Sequence, residues 1–370
     1  MEEYWIPLLV DSEEKLQKDV DPRICNTGVQ NTIDEGLSPC VDWVQVTFKN
    51  FNSIKKVFDI LGLNPDLFSE LPKGGLGYKK CTAFSNIRIF YDGREDMGVH
   101  LQISGTGCRE YEHFGSYNWI TLFQTIIGAG GQFTRVDLAL DDVSKGNRKL
   151  FFTVESIARR VSQALLISKF KESDERLKRD IATGKSKGMS IYFGSEKSAI
   201  RVRMYDKKQE QGDKTPEDVE QWVRTEIQTR DERAQMVAEL IAFSKEETFG
   251  TVCKGILKHY LRFVVKGKDK NKSRWETAPF WDKFLGEVQA TKLTVAPKVR
   301  TIENSVHWIE KNVAPTLAML HEAFGNDMDA IARIVNKGRA NMNNQQKRMI
   351  ETYHAEIAMI KKKANQQLTD

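Results

Sequence analysis

An α+β fold, with a mostly antiparallel sheet flanked by helices and a helical C-terminal extension, is what this 370-residue sequence predicts. Three observations predict it. Apolar residues alternate with period two in a series of short runs, the signature of half-buried strands. Several runs are joined by short glycine-containing turns that read as hairpins. From Thr301 onward helical spacing takes over almost entirely.

The first forty residues carry nine acidic and three basic side chains, net −6, amid Asn, Thr, Gly and Pro. They show no sustained period and read as an extended acidic arm, residues 1–40. Val41 to Lys49 then alternates cleanly, with Val44, Val46 and Phe48 opposite Trp43, Gln45 and Thr47. Phe51 to Leu63 has helical spacing and is stopped by Gly62 and Asn64-Pro65. Thr82–Ile87, Ile89–Tyr91 and Val99–Ser104 read as a meander of three strands, and Ser104 to Glu110 as a tight glycine turn. Trp119–Gly128 is predicted helical.

Phe133 to Asp142 places Val136, Leu138 and Leu140 toward the core and Arg135, Asp137, Ala139 and Asp141 on the other face. Aspartate is depleted from strand interiors, so its repetition needs a cause. An amphipathic helix follows from near Thr153 to Leu166, then a charged run from Lys169 to Asp180. Thr183 to Gly188 lacks both the lead-in of a phosphate loop and the helix that should follow it. Ser190–Phe193 and Ala199–Asp206 form a hairpin around Gly194-Ser195, and Gln221–Arg230 is a further strand. Two helices, Arg233–Phe243 and Thr251–Val264, precede a basic connector from Lys266 to Arg274 with Trp275, Phe280 and Trp281 behind it. Rings interleaved with lysines suit nucleic acid or a packing cluster equally. A long amphipathic helix is expected over Gln345–Gln367.

The composition excludes several classes. No run of 18 apolar residues occurs and the N-terminal stretch lacks the order of a signal peptide, so a cytoplasmic protein with no membrane partner is expected. The five cysteines are scattered without a Cys-x-x-Cys pair and read as reduced thiols. Residues 251–300 hold twelve basic and four acidic side chains, net +8, and would attract a polyanion that the acidic arm repels.

Alternation puts Arg201, Arg203 and Tyr205 on one strand face, and Trp222, Arg224, Glu226, Gln228 and Arg230 on another. Arginine forks suit phosphate oxygens, so a shared surface with a tyrosine has the composition of a phosphodiester site. Asp137, Asp141 and Glu226, from separate strands, are candidate oxygen ligands for Mg²⁺ or Mn²⁺, with His100 as a further ligand or proton acceptor. Such a cation would polarise a phosphate while Tyr192 or Tyr205 attacks in line.

These stretches resemble the replication initiation factor family, the rolling-circle plasmid initiators and the related relaxases of integrative and conjugative elements. The resemblance rests on Asp42-Trp43, Ile103 to Arg109, Arg135 to Asp142, Ser190 to Ser195, Arg203 to Lys207, and Arg224-Thr225-Glu226, in that order, and spans about Asp42 to Phe280. It implies a DNA-nicking domain over 41–290 and a helical extension over 291–370. The implied activity is a metal-dependent nick at an origin, a 5′-phosphotyrosine link and rejoining. Tyr192, in Tyr-Phe-Gly-Ser, is the implied nucleophile, with Tyr205, Arg203 and Arg201 beside it. Implied ligands fall on Asp137 or Asp141 and on Glu226. Expected DNA contacts are Arg224, Arg230, Lys207, Lys266, Lys268, Lys270, Lys272 and Arg274. The expected partners are an origin hairpin with a single-stranded nic site and a host replicative or repair-type helicase, with homodimerisation left open. Two other classes compete: a metal-independent tyrosine recombinase and a non-catalytic DNA-binding protein.

Overall fold

The computed structural model describes residues 37–212, 215–243, 249–289, 291 and 293, and within the C-terminal unit 302, 305–306, 309–310, 313–342, 346–347, 350–351 and 353–354. Most of the acidic arm and most of the predicted Gln345–Gln367 helix lie outside these residues. Two compact units divide at Val295/Ala296.

The first unit is organised by a ten-stranded antiparallel sheet. In chain order its elements are β1 (Leu37–Phe48), α1 (Lys55–Leu61), β2 (Ser69–Glu70), β3 (Lys80–Phe84), β4 (Ile87–Tyr91), β5 (Val99–Ile103), α2 (Gly105–Phe114), α3 (Trp119–Gly128) and β6 (Gln132–Ser144). There follow α4 (Val154–Ser162), β7 (Leu166–Ser168), β8 (Ser173–Arg179), β9 (Ser186–Phe193), β10 (Ile200–Asp206), α5 (Lys207–Gln211), β11 (Gln221–Arg230), α6 (Glu232–Phe243), α7 (Phe249–Tyr260), β12 (Leu261–Phe263) and α8 (Pro279–Leu285). The second unit contains α9 (Ala314–Ala323) and α10 (Met328–Ala340). Strand order is β2-β3-β4-β5-β1-β6-β11-β10-β9-β8, with β7 and β12 forming a separate pair.

The alternating residues decide the two faces. Val44 and Val46 of β1, Val136, Leu138 and Leu140 of β6, Val202 and Met204 of β10, and Ile227 of β11 are buried in one core cluster with Trp119, Phe123, Val237 and Ile241 of the helices. Helices α6 and α7 contact β6, and α4 contacts β9 and β10. The α4 helix starts where its sequence says it should: Thr153 accepts from the Ser156 backbone and Ser156 accepts from that of Thr153, a reciprocal cap.

Three differences from the sequence expectation have physical causes. β1 begins at Leu37, inside the segment read as an arm, because Leu37 to Val41 pair with Leu138 to Asp142. Gly105 to Phe114 is helical rather than a turn. Its Gly107 serves close approach, since a Cβ there would stand 2.5 Å from the Asn86 carbonyl oxygen. The run Lys169–Asp180 contains a paired strand, β8, whose residues are all exposed and therefore carry no apolar period to read.

Candidate active site

The polar face of the sheet gathers the candidate residues by register. Arg203 of β10 pairs with Tyr192 of β9 on one side and Glu226 of β11 on the other. Tyr205 pairs with Arg224, Arg224 with Asp141, and Gln228 with Asp137. Directly paired residues share a face, so four neighbouring strands present Tyr192, Arg203, Tyr205, Glu226, Arg224, Asp137 and Asp141 together. Gly194, at φ +89°, opens the turn that returns β9 into β10 and leaves room for Phe170 at 2.9 Å from where a Cβ would be.

A fifth strand adds Asp42. Trp43 pairs with Asp137 and Val41 with Leu138, which leaves Asp42 as an extra residue in a bulge of β1. Arg109 of α2 steadies the bulge by donating to the Val41 carbonyl at 2.5 Å. The Asp42 carboxylate accepts from Arg224 Nη1 at 2.5 Å. Burial works against its charge, yet Arg224, Lys207, Arg109 and Arg203 together hold its carboxyl below the ordinary value.

Most charges of this face are consumed by one another. Asp141 Oδ1 accepts from Trp222 Nε1 and Arg224 Nε, and Oδ2 from Arg224 Nη2, all at 2.7 Å. Asp137 is clamped by Arg135 Nε at 3.0 Å and Nη2 at 2.5 Å, while the Arg135 guanidinium lies 4.2 Å over the Trp43 ring. Burial nevertheless pushes the Asp137 carboxyl up to about 6, with the Asp42 charge adding to it. Glu226 differs. Among the described residues it receives no hydrogen bond, and its nearest cation is Arg203 Nη1 at 3.8 Å. Burial, then repulsion from Asp42 and Asp137, pushes its carboxyl up to about 8.

The two tyrosines also separate. Tyr205 is 2% exposed, with the Arg203 guanidinium 3.6 Å over its ring, and burial pushes its hydroxyl well above the ordinary range. Tyr192 is half-buried and ringed by cations: Arg201 at 4.3 Å, Arg176 at 4.9 Å and Arg203 at 5.6 Å from its centroid. Nε and Nη2 of Arg201 and Nε of Arg203 are buried with no hydrogen-bond acceptor among the described residues. An unmet buried guanidinium donor is costly unless an anion meets it.

His100 is not brought to this cluster. It pairs with Thr47, which bonds its Nδ1 at 2.9 Å. Thr47 lies four residues along β1 from Trp43, roughly 13 Å at strand spacing. Burial lowers His100 to about 4, so it is a neutral ring packed against Tyr78 and Phe90. Asp141, grouped with the metal ligands from sequence, has both oxygens filled by Arg224 and Trp222 and acts as their anchor.

The expected DNA contacts divide likewise. Arg224 is 4% exposed and committed to Asp42 and Asp141, so it has no free donor face for phosphate. Lys207 is buried and ion-paired with Glu210. Arg230 is half-buried, with Nε unmet. Lys266, Lys268 and Lys270 are exposed, whereas Lys272 donates to the Leu166 carbonyl and Arg274 pairs with Asp269. Phe280 and Trp281 pack against Phe152 and Phe263. Sequence reasoning did not place Asp42, hidden by the bulge, or Arg176, on a strand without a period.

No group of three His, Cys, Asp or Glu donors among the described residues stands close enough to hold a metal ion by itself. Magnesium often takes only one or two protein carboxylates and completes its shell with water and substrate phosphate. Glu226 fits such a site, being a carboxylate without a donor, destabilised by neighbours of its own sign.

Comparison with known proteins agrees along most of the chain. Residues 131–335 match the model described as "Replication initiation factor", and residues 38–125 that of the "Rolling Circle replication initiation protein N-terminal domain". The chain is 31% identical over 340 residues to the "Putative DNA relaxase NicK" of Bacillus subtilis (strain 168), covering 88% of this chain and 92% of that one. It also resembles the solved rolling-circle replication initiator protein of Geobacillus stearothermophilus, with 38% identity, a TM-score of 0.64, and coverage of 70% of this chain and 99% of that chain.

Proposed function

The chain belongs to the replication initiation factor family, and from that premise we propose that it nicks and rejoins one DNA strand at an origin. Tyr192 is the nucleophile in this reading. Its oxygen attacks the scissile phosphorus, the bond to the 3′ oxygen breaks, and a 5′-phosphotyrosine and a free 3′ hydroxyl result. Attack by a 3′ hydroxyl reverses the step and releases the protein.

The observation that carries the reading is the pair of arginines beside Tyr192 with buried, unmet donors. A phosphodiester brought to the exposed edge of that ring supplies the missing acceptors, and the same guanidiniums stabilise charge as it develops on phosphate oxygens. Tyr205, almost fully buried beneath Arg203, positions that arginine. Glu226, with Asp42 and Asp137 at its flank, would hold Mg²⁺ or Mn²⁺. The ion supplies Lewis-acid polarisation of the phosphate and relieves carboxylate repulsion. Asp141 holds Arg224, which in turn holds Asp42 beside the cluster.

A nick leaves the duplex largely paired, so a host replicative or repair-type helicase is the partner required to extend the opening. Homodimerisation and a choice between conjugative transfer and plasmid-type replication are further expectations of the family reading. The deciding experiment offers a single-stranded origin oligonucleotide with Mn²⁺ and scores the covalent adduct. Tyr192→Phe abolishes the adduct and Tyr205→Phe retains it. The opposite pattern moves the nucleophile to Tyr205.

A further inference from the structure

The strand that carries Tyr192 continues beyond the site. β10 pairs with β9 only at Ser190 to Phe193, whereas β8 pairs with β9 back to Ser186. The distal part of this β8–β9 hairpin, residues 177–187, is exposed throughout except for Asp180, which is half-buried. Such an arm buries little apolar surface of its own.

Its tip is nonetheless tightly wired. The Asp180 N–H donates to the Lys185 carbonyl at 2.9 Å and the Gly184 N–H to the Asp180 carbonyl at 2.8 Å. Thr183 donates to Asp180 Oδ1 through its backbone N–H at 2.9 Å and its hydroxyl at 3.0 Å, and Lys187 pairs with Asp180 Oδ2 at 2.8 Å. Arg179 closes the turn by donating to the Gly184 carbonyl at 3.1 Å. On this braced turn sits Ile181, 101% exposed. Single exposed apolar residues are ordinary, but a rigid turn holding a branched aliphatic clear of every neighbour has a mechanical use. Near it in the chain stand Lys178, Arg179, Lys185 and Lys187, against the single acid of residues 177–187, Asp180, whose charge Lys187 already meets.

We propose that this hairpin is a wedge for duplex DNA. Ile181 enters between base pairs while Lys178, Arg179 and Lys185 grip the flanking phosphates, and the strand so loosened passes to Tyr192. Apolar wedges on basic scaffolds unstack base steps in this way. From Lys185 to Tyr192 is seven residues of extended chain, roughly 23 Å, or about seven base steps of duplex. The wedge therefore opens DNA within reach of the nucleophile on its own hairpin. It rests on the reading of Tyr192 as the residue that cuts DNA.

The test uses the full chain and two DNA forms of the sequence beside its own coding region, a linear duplex and the same strand alone. Ile181→Asp and Ile181→Ala lower adduct formation on the duplex by about tenfold and leave the single strand unchanged, and an unpaired bubble at the cut restores the variants. Equal losses on both forms, or no loss on the duplex, overturn the wedge. A second arm is independent of cutting. In the Tyr192→Phe background, fluorescence of a duplex carrying 2-aminopurine at TA steps rises with Ile181 present and stays flat with Ile181→Asp. A flat signal with both overturns the proposal, as expected if the tip instead meets a protein. If the native chain forms no adduct yet raises the fluorescence, the nicking reading fails and the wedge stands. If no DNA is cut, the fluorescence arm alone decides.

Discussion

Asp141→Asn separates anchoring carboxylates from cation-holding ones. Asp141 accepts three hydrogen bonds of 2.7 Å, from Trp222 Nε1, Arg224 Nε and Arg224 Nη2, in a site where both it and Arg224 are buried. Asparagine keeps one acceptor, turns an amide donor toward a guanidinium donor and removes the counter-charge. Taking one partner from a buried ion pair costs about 3–5 kcal/mol. Arg224 retains Asp42 at 2.5 Å, which places the expected loss at the lower end, about 3 kcal/mol. For a unit of this size that lowers Tm by on the order of 10 °C, read by near-ultraviolet circular dichroism on heating. Replacing both partners, Asp141→Ala with Arg224→Met, does not recover the loss, because it takes from Asp42 the guanidinium its carboxylate accepts from. Mn²⁺ binding by the folded Asp141→Asn protein stays close to that of the native chain. A native Tm together with lost Mn²⁺ binding would refute the anchoring role and make Asp141 a ligand.

Glu226 gives a pH prediction. Its folded value of about 8 exceeds the ordinary 4.5, so its contribution to stability is whole below about pH 4.5 and is lost as pH rises toward 8. Tm of the metal-free protein therefore falls across that window, and Glu226→Gln flattens the fall. A variant profile parallel to the native one contradicts the repulsion argument. Tyr205→Phe removes a hydroxyl that makes no hydrogen bond among the described residues and leaves stability within about 1 kcal/mol; a larger loss in urea unfolding would reveal a buried partner. For the basic loop, changing Lys266, Lys268 and Lys270 to glutamate lowers the slope of log affinity against log salt by about 2–3 on single-stranded DNA, measured in the Tyr192→Phe background. An unchanged slope excludes the loop from the DNA path.

Within strands, the chemistry was legible because period two is a local property. Val136, Leu138 and Leu140 face the apolar core and Asp137 and Asp141 the opposite, polar face, as their spacing requires. Which strands stand side by side was not legible, since β1 enters the middle of the sheet and β11 returns to pair with β6 across almost ninety residues of chain. Asp42 was beyond reach for a sharper reason. A clean alternation conceals a bulge, and the bulge alone leaves this carboxylate beside Arg224. His100 failed in the opposite sense: its strand was predicted, but two strand positions set it against Thr47 and Tyr78. Aromatic rings near lysines were ambiguous from composition, and the packing of Trp281 against Phe152, Phe263 and Phe284 answers as core.

Pairing off the charges of the polar face leaves a remainder with a meaning. Asp42 and Asp141 share Arg224, and Asp137 takes Arg135. Around Tyr192, the weakly paired charges among the described residues are Glu226, with no cation nearer than 3.8 Å, and Arg201 and Arg203, whose nearest acids stand at 3.9 Å and 3.5 Å. These leftovers adjoin through the pairing of Arg203 with Tyr192 and Glu226. Arg203 and Glu226 meet only at 3.8 Å, too long for a hydrogen bond, so each keeps much of its need for a counter-ion: an anion for the arginines, a cation for the glutamate. A phosphodiester and a divalent metal meet both needs at once, and each makes room for the other. DNA and metal should therefore stabilise the protein more together than their separate effects sum to, by about 1–3 kcal/mol of coupling. Simple additivity in a thermal titration with Tyr192→Phe protein, oligonucleotide and Mn²⁺ would show that the two sites are independent.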